Sequence, residues 1–425
     1  VAHAAAEFSA LSFASALAAF ALAGAIDAGY GPLLGIVSTR FGVPLPKAGL
    51  LISIHFCGAF AGVAVLLAAR RRVSGRLVAI ASLGVLGAGC LVIASARAWS
   101  AVAAGVMVAG AGFGMTDFGL NDLVARTGHS GRAGRLAALN AAFGAGAVAG
   151  PALVELLGSA ALRVGFACAA MIAGAAALGM RGLSAPAARP YGRAAGDVVP
   201  ADPAAPSPPC PSTGSGRRPP RHGLPRPDTT ERAAGYGWRT AAPFGLAYLS
   251  YVGCESGIAG WAPAYLSGLG HSAHLASTTT SAFWGALTAG RLCLIPLSRH
   301  ASPRRIVLAT APALLACVAL TAITAIAPVA FAAAGLAAAP IFPAGLAWAA
   351  RCASSDQRAI AWALTWSMAG GVAGPGGIAA ATAATSVEAV PAVLMALAAA
   401  CCAGFLAVPA GRGQPAPAQR NRRRS

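Results

Sequence analysis

The sequence predicts an all-α polytopic membrane protein of twelve transmembrane helices arranged as two six-helix bundles. Three observations carry this. Of the 425 residues, 57% are hydrophobic and only 10% are charged, with a mean hydropathy of +0.68, whereas soluble domains carry about 25% charged residues. Apolar runs, each near the ~20 residues that a helix needs to cross a bilayer, follow one another along the chain. A Pro-rich polar stretch divides them into two equal sets.

The runs lie at 11–37, 48–69, 77–96, 99–123, 135–158, 161–180, 241–267, 277–298, 305–325, 328–350, 357–382 and 388–409. The first continues through Asp27 to Pro32 with no small-residue cleavage site after a short core, so it reads as a retained span rather than a signal peptide. Gly29, Gly31 and Pro32 are expected to loosen this helix beside Asp27. The second run ends in the basic turn ARRRVSGR, and the eighth ends in a weaker echo, SRHASPRR, a faint internal repeat. Domain boundaries follow: 1–181 for the first bundle, 182–240 for a disordered Pro/Arg-rich linker, 241–410 for the second bundle and 411–425 for a basic tail.

A formal charge of +19 raises the question of nucleic acid, and the placement of the charge answers it. One set of loops, with the linker and tail, holds 26 Lys and Arg; the opposite set holds Arg40, Lys47, Arg97 and Arg163, and Arg291 lies inside a span. That asymmetry is an orientation signal, with both termini cytoplasmic, and nucleic acid is not expected as a partner. Ten cysteines are scattered without a CxxC pair, mostly in apolar runs, where Cys packs as a small hydrophobe. His271 and His274 stand in an outer loop apart from other metal-ligand types, so no metal and no cofactor is expected. With no soluble domain to carry a nucleophile–base arrangement or a phosphate loop, an enzyme is not expected either.

The chemistry is expected where ionisable groups enter the apolar runs, because a charge there is costly unless it faces a cavity or a partner. In GFGMTDFGLND, Asp117 and Asn121 are four apart and share a helix face. Asp117 lies about 13 Å from the basic edge at Arg126, at 1.5 Å per residue. Asp122 follows it and is a rival for its role, and Asn140 opens the next run. In YVGCESGIAGW, Tyr251 and Glu255 share a face, and Glu255 lies about 24 Å up its helix from Arg239. Tyr251, Trp261, Phe283 and Trp284 offer rings against which a polar solute can stack an apolar face. Asp117, Asp27 and Glu255 are therefore the candidate proton-coupling groups, and Asn121, Asn140, Tyr251, Trp261, Phe283 and Trp284 the candidate substrate ligands.

With GAGFGMTDFGLND, RLAALNAAFGAGAVAGP, YVGCESGIAGW, FWGALTAGR and APIFPAGLAW, the chain resembles the major facilitator superfamily, and within it the branch of fucose–proton symporters and sodium-dependent glucose transporters. The resemblance covers most of the chain outside the linker and tail. It implies the major facilitator fold, a site between the bundles and a coupling role for Asp117 beside Asn121; Asp27 before Pro32 corresponds to the family's acid in span one, and Asn140 near Phe143-Gly144 to its Asn in span five. This sequence departs from the pattern in carrying Asp where fucose symporters have Glu, and in lacking the superfamily's Asp in ARRRVSGR.

The function expected is secondary active transport of a small polar solute, a sugar first, across the plasma (cytoplasmic) membrane, by symport with protons in preference to sodium. Burial disfavours the charged form of a carboxyl, so gain or loss of its proton biases which side the cavity opens to. Proton-driven efflux of a drug or metabolite is the second reading and uses the same acids in reverse.

Overall fold

The computed structural model describes residues 7–69, 72–127, 131–184, 229–352 and 357–409, and among these the only non-helical pairing is an isolated antiparallel bridge between Glu7 and Ser184. The helices are α1 (Ala10–Phe41), α2 (Leu45–Ala69), α3 (Gly75–Ser95), α4 (Trp99–Ala125), α5 (Arg132–Leu157) and α6 (Phe166–Gly179). The second half holds α7 (Thr229–Gly268), α8 (Ala273–His300), α9 (Pro303–Leu320), α10 (Ala327–Ala338), α11 (Ile341–Cys352), α12 (Gln357–Ala384) and α13 (Val390–Leu406). Every apolar run expected from the sequence falls on helix. Eight stretches are long and apolar enough to cross a membrane by length and composition; Arg132–Gly182 is counted as one of them although it contains both α5 and α6. Helices α7, α8 and α12 are not among the eight; α7 and α8 carry Glu255 and Arg291, which are central to the site.

Local chemistry sets the boundaries. Serines cap α1, α3, α8 and α9, each side chain accepting a backbone N–H of the first turn: Ser9 from Ser12, Ser74 from Leu77, Ser272 from Leu275 and Ser302 from Arg305. Helix α1 stops at Gly42, whose φ of 61° is a left-handed C-cap. Between α5 and α6 the chain turns at Gly158, φ 51°, and passes through a π-helical stretch, Ala161–Gly165. Pro340 separates α10 from α11 within the single run expected at 328–350. Helix α7 supplies hydroxyl donors there: that of Tyr251 donates to the Ala338 carbonyl at the end of α10, at 3.1 Å, and that of Tyr248 to the Phe342 carbonyl in the first turn of α11, at 2.9 Å.

Two expectations change. Pro32 does not loosen α1, which stays helical to Phe41; Gly29 and Gly31 serve packing instead, and a Cβ on Gly31 would overlap the Ala259 carbonyl of α7. Helix α7 starts at Thr229, ahead of the expected 241. Most of the expected linker, 185–228, and the tail from 410 lie outside the described residues.

Small residues hold the helices together. In lipid there is no hydrophobic force between helices, so association relies on close backbone approach. Helix α1 packs on α5, α2 and α3 on α4, and α7 on α12 and α13. The contacts between halves run from α1 to α7, α2 to α12 and α5 to α8. Their named residues lie at mid-depth or toward the end opposite the Arg-rich loops. Trp261 presses on Gly49, Phe56 on Gly371, and the Ser53 hydroxyl donates to the Val372 carbonyl at 2.8 Å. At that same far end the His274 ring meets the Glu155 carboxylate at 2.8 Å. His274 is thus not isolated, as its sequence neighbourhood suggested, because its partner comes from α5. The named contacts between halves therefore gather toward that end.

Substituting Gly146→Ala should test the close-approach account, since its Cβ would overlap the Ala21 carbonyl of α1, a backbone group that cannot rotate away. The expected cost is about 1–3 kcal/mol, read as a lowered melting temperature in detergent. Gly174→Ala, with nothing within 4 Å of its Cβ, should leave that temperature unchanged. Equal effects from the two would contradict the account.

Candidate substrate and coupling site

Helix α4 presents Asp117 and Asn121 on one face, and the structure joins them as their spacing requires: Asn121 Nδ2 donates to Asp117 Oδ1 at 3.1 Å. Asp117 is exposed although it sits well within the helix. Its charge interacts with Arg291 of α8 and Asp27 of α1, and Asp27 interacts with Glu255 of α7. Asp117 thus stands on the side of α4 that looks toward α1 and the second half.

On the other wall, Arg291 Nη2 lies 3.5 Å from Glu255 Oε1. Glu255 is largely buried, with 14% of its side chain exposed, against 34% for Arg291. The Arg291 Nε is buried without a partner among the described residues, so the guanidinium is incompletely engaged by Glu255. Three carboxylates and one guanidinium, drawn from α1, α4, α7 and α8, thus occupy one neighbourhood.

The other ligands expected from sequence are spread more widely. Asn140 is exposed on α5, with its amide donating to the Leu136 carbonyl of its own helix at 2.8 Å. Trp284 reaches Phe143 of α5, with ring centroids 6.1 Å apart, and its buried indole N–H has no hydrogen-bond partner. Phe283 is buried and turned to α10, where Gly335 makes room for its backbone. Trp261 is buried against Gly49 toward the far end, and Tyr251 is buried at the α10–α11 break. Asp122 is taken by Arg126, one turn on, in a close ion pair at the helix end, which withdraws it from competition with Asp117.

Sequence reasoning missed a row of rings. From Trp284 and Phe143 it continues to Phe113 at 6.4 Å and from there to His55 at 4.9 Å. Tyr30 closes it, its hydroxyl 3.2 Å from His55 Nδ1. His55 Nε2 is buried with no partner. One signal was present: His55 is an ionisable residue in the middle of an apolar run. Tyr30, Phe113 and Phe143 carry no such mark, since aromatic residues in spans usually pack. Among the described residues no group of three or more His, Cys, Asp or Glu is placed to hold a metal ion.

If the space between the halves opens toward the Arg-rich loops, a water-soluble maleimide should modify Asn140→Cys rapidly and Tyr251→Cys slowly in detergent-solubilised protein with the native cysteines replaced. Comparable rates at the two positions would contradict the placement.

The comparisons with known proteins agree with this architecture. No curated protein matches the sequence. Among solved structures, the chain is similar to the nucleoside transporter NupG (TM-score 0.68, 12% identity, 94% of this chain and 99% of that one). It is also similar to the peptide transporter POT in complex with sulfate (TM-score 0.68, 12% identity, 93% of each). A bacterial homolog of the human lysosomal transporter Spinster, in an inward-facing and unoccupied conformation, matches with TM-score 0.60 and 13% identity over 93% of this chain and 94% of that one. At such identities the likeness shows the fold alone. The family profile of the Major Facilitator Superfamily matches residues 12–375, and the chain, an integral membrane transporter, belongs to that superfamily.

Proposed function

We propose that this transporter moves a small polar solute, a sugar first, by alternating access coupled to protons. The observation that carries the reading is the neighbourhood of Asp27, Asp117, Glu255 and Arg291, shared between the two halves. A carboxylate so placed changes the charge of the cavity when it binds a proton, and that charge is felt by groups on the opposite half. Asn121, Asn140 and the unpartnered Trp284 N–H supply donors for hydroxyl groups, and Phe113 and Phe143 supply ring faces.

In this reading the Arg-rich loops are cytoplasmic, the protein resides in the plasma membrane, and 1–181 and 241–410 are the two moving bundles. The solute enters a cavity that opens outward, the far-end contacts of α1–α7 and α2–α12 then close over it, and the state described here is the one open to the cytoplasm. The excess of carboxylates over guanidinium, beside a row of rings, favours a second reading: export of an amphipathic organic cation in exchange for protons, with the cation and the proton competing for the same oxygens.

Purified protein in liposomes, given a panel of sugars, nucleosides, peptides and organic cations under an imposed pH gradient, separates these readings by which solute accumulates and in which direction. Asp117→Asn keeps the size of the side chain and its bond to Asn121 but cannot ionise. It should abolish uphill uptake while leaving exchange between two filled pools. Wild-type accumulation by this variant would remove Asp117 from coupling, and loss of exchange as well would make it a solute ligand.

A further inference from the structure

At the end opposite the Arg-rich loops an ion pair joins the two halves, with His274 Nδ1 2.8 Å from Glu155 Oε1. By the rules of an isolated helix both residues are misplaced. Glu155 sits in the last turn of α5, where the macrodipole disfavours a negative charge, and His274 in the first turn of α8, where it disfavours a positive one. Across the halves the signs become right: the carboxylate meets the N-terminus of α8, and a protonated ring meets the C-terminus of α5. The His274 side chain is 80% exposed, so water delivers its proton directly. The turn that carries it is pinned on its other side. The chain passes from α7 to α8 between Gly268 and Ala273, with Gly270 at φ 85°. His271 of this turn places Nε2 3.3 Å from the Thr324 carbonyl, at the corner between α9 and α10. One histidine thus holds the turn to its own half and the other holds it to α5.

We propose that His274 and Glu155 form a pH-sensitive latch, which holds the far end together in acidic surroundings and releases it as they turn alkaline. The latch rests on the alternating-access reading, in which this end parts, and on neither the solute nor the coupling acid. With the ring protonated, closure makes an ion pair, and parting leaves each charge at the unfavourable end of its own helix. A neutral ring can still donate from Nδ1, so the contact weakens without vanishing. The closed arrangement therefore holds the proton more tightly than the parted one, and acid favours closure. The window is that in which histidine changes charge while carboxylates stay ionised, between about pH 5 and 8. For an exposed pair the shift in the closed-to-parted ratio is about two- to fivefold, and salt reduces it. Other charges near the pair are few. Of the elements packed on α8, α10 has no titratable residue, α7 brings Tyr265 to this end, its hydroxyl donating to the Thr321 carbonyl, and α1 brings Arg40, stacked over Phe41. Arg40 and Arg163, which follows α5, keep their charges throughout this range.

The test places spin labels on Thr39→Cys and Ala322→Cys, exposed positions of opposite halves at this end, in otherwise cysteine-free protein in lipid nanodiscs without solute. Asp117→Asn is present throughout, so the central acid contributes no response. Between alkaline and mildly acidic buffer the short-distance population should grow about two- to fivefold relative to the long one. His274→Asn, which keeps a donor without the charge, and Glu155→Gln should each flatten this response. Exchanging the pair, Glu155→His with His274→Glu, should restore it. An undiminished response in His274→Asn would overturn the latch, as would a flat response with the native pair while both distances are populated. A single distance under every condition would instead overturn the alternating-access reading beneath it. Unchanged melting temperatures identify variants whose loss of response is not misfolding.

Discussion

Charge is expensive inside a bilayer, and this constraint organises the molecule. A charged side chain at membrane depth has to face water, a partner or both. Asp117 satisfies it with an exposed side chain and the Asn121 amide. Glu255 satisfies it with Arg291, and Arg291 in turn lies within the field of Asp117. Removing one partner of such a pair strands the other, which is far costlier than lacking both. The acids and the arginine are therefore tied to one another and to a water-reachable gap, and a fold that keeps such a gap between two halves is the fold that can hold them.

The rest of the architecture makes that gap possible. The packing within each half is close because glycine and alanine let backbones touch, as where α1 meets α5 at Gly146. Contacts between halves use side chains, Trp261 on Gly49, Phe56 on Gly371 and the hydroxyl of Ser53 on a carbonyl, together with the close backbone approach of Gly31 to Ala259. Alternating access requires that such contacts part at one end while each half keeps its shape. The chain keeps this arrangement even where proline interrupts a span, because Tyr248 and Tyr251 take up carbonyls at and beside the break before Pro340.

The helices and the local half of the site were legible in the sequence. Hydropathy located the spans because lipid demands it over a fixed length, and the Asp117–Asn121 bond follows from helical spacing alone. What depended on distant partners was not legible. Tyr251 looked like a solute ligand and is instead buried at a break in another helix. Trp261 looked like a cavity wall and packs on Gly49 toward the far end. Gly31 and Pro32 suggested a loosened helix, but the glycine is explained by the Ala259 carbonyl of α7. His55, with Tyr30 and Phe113, forms a cluster whose members come from three helices, and the sequence holds no local pattern that would join them.

The central claim is that proton binding between the halves is coupled to movement of a solute. The most direct measurement records the pH of a lightly buffered suspension of proteoliposomes when a transported solute is added outside without any imposed gradient. The account predicts an alkaline shift as protons enter with the solute, absent when Asp117 is replaced by Asn. An unchanged pH during demonstrable solute entry would contradict it.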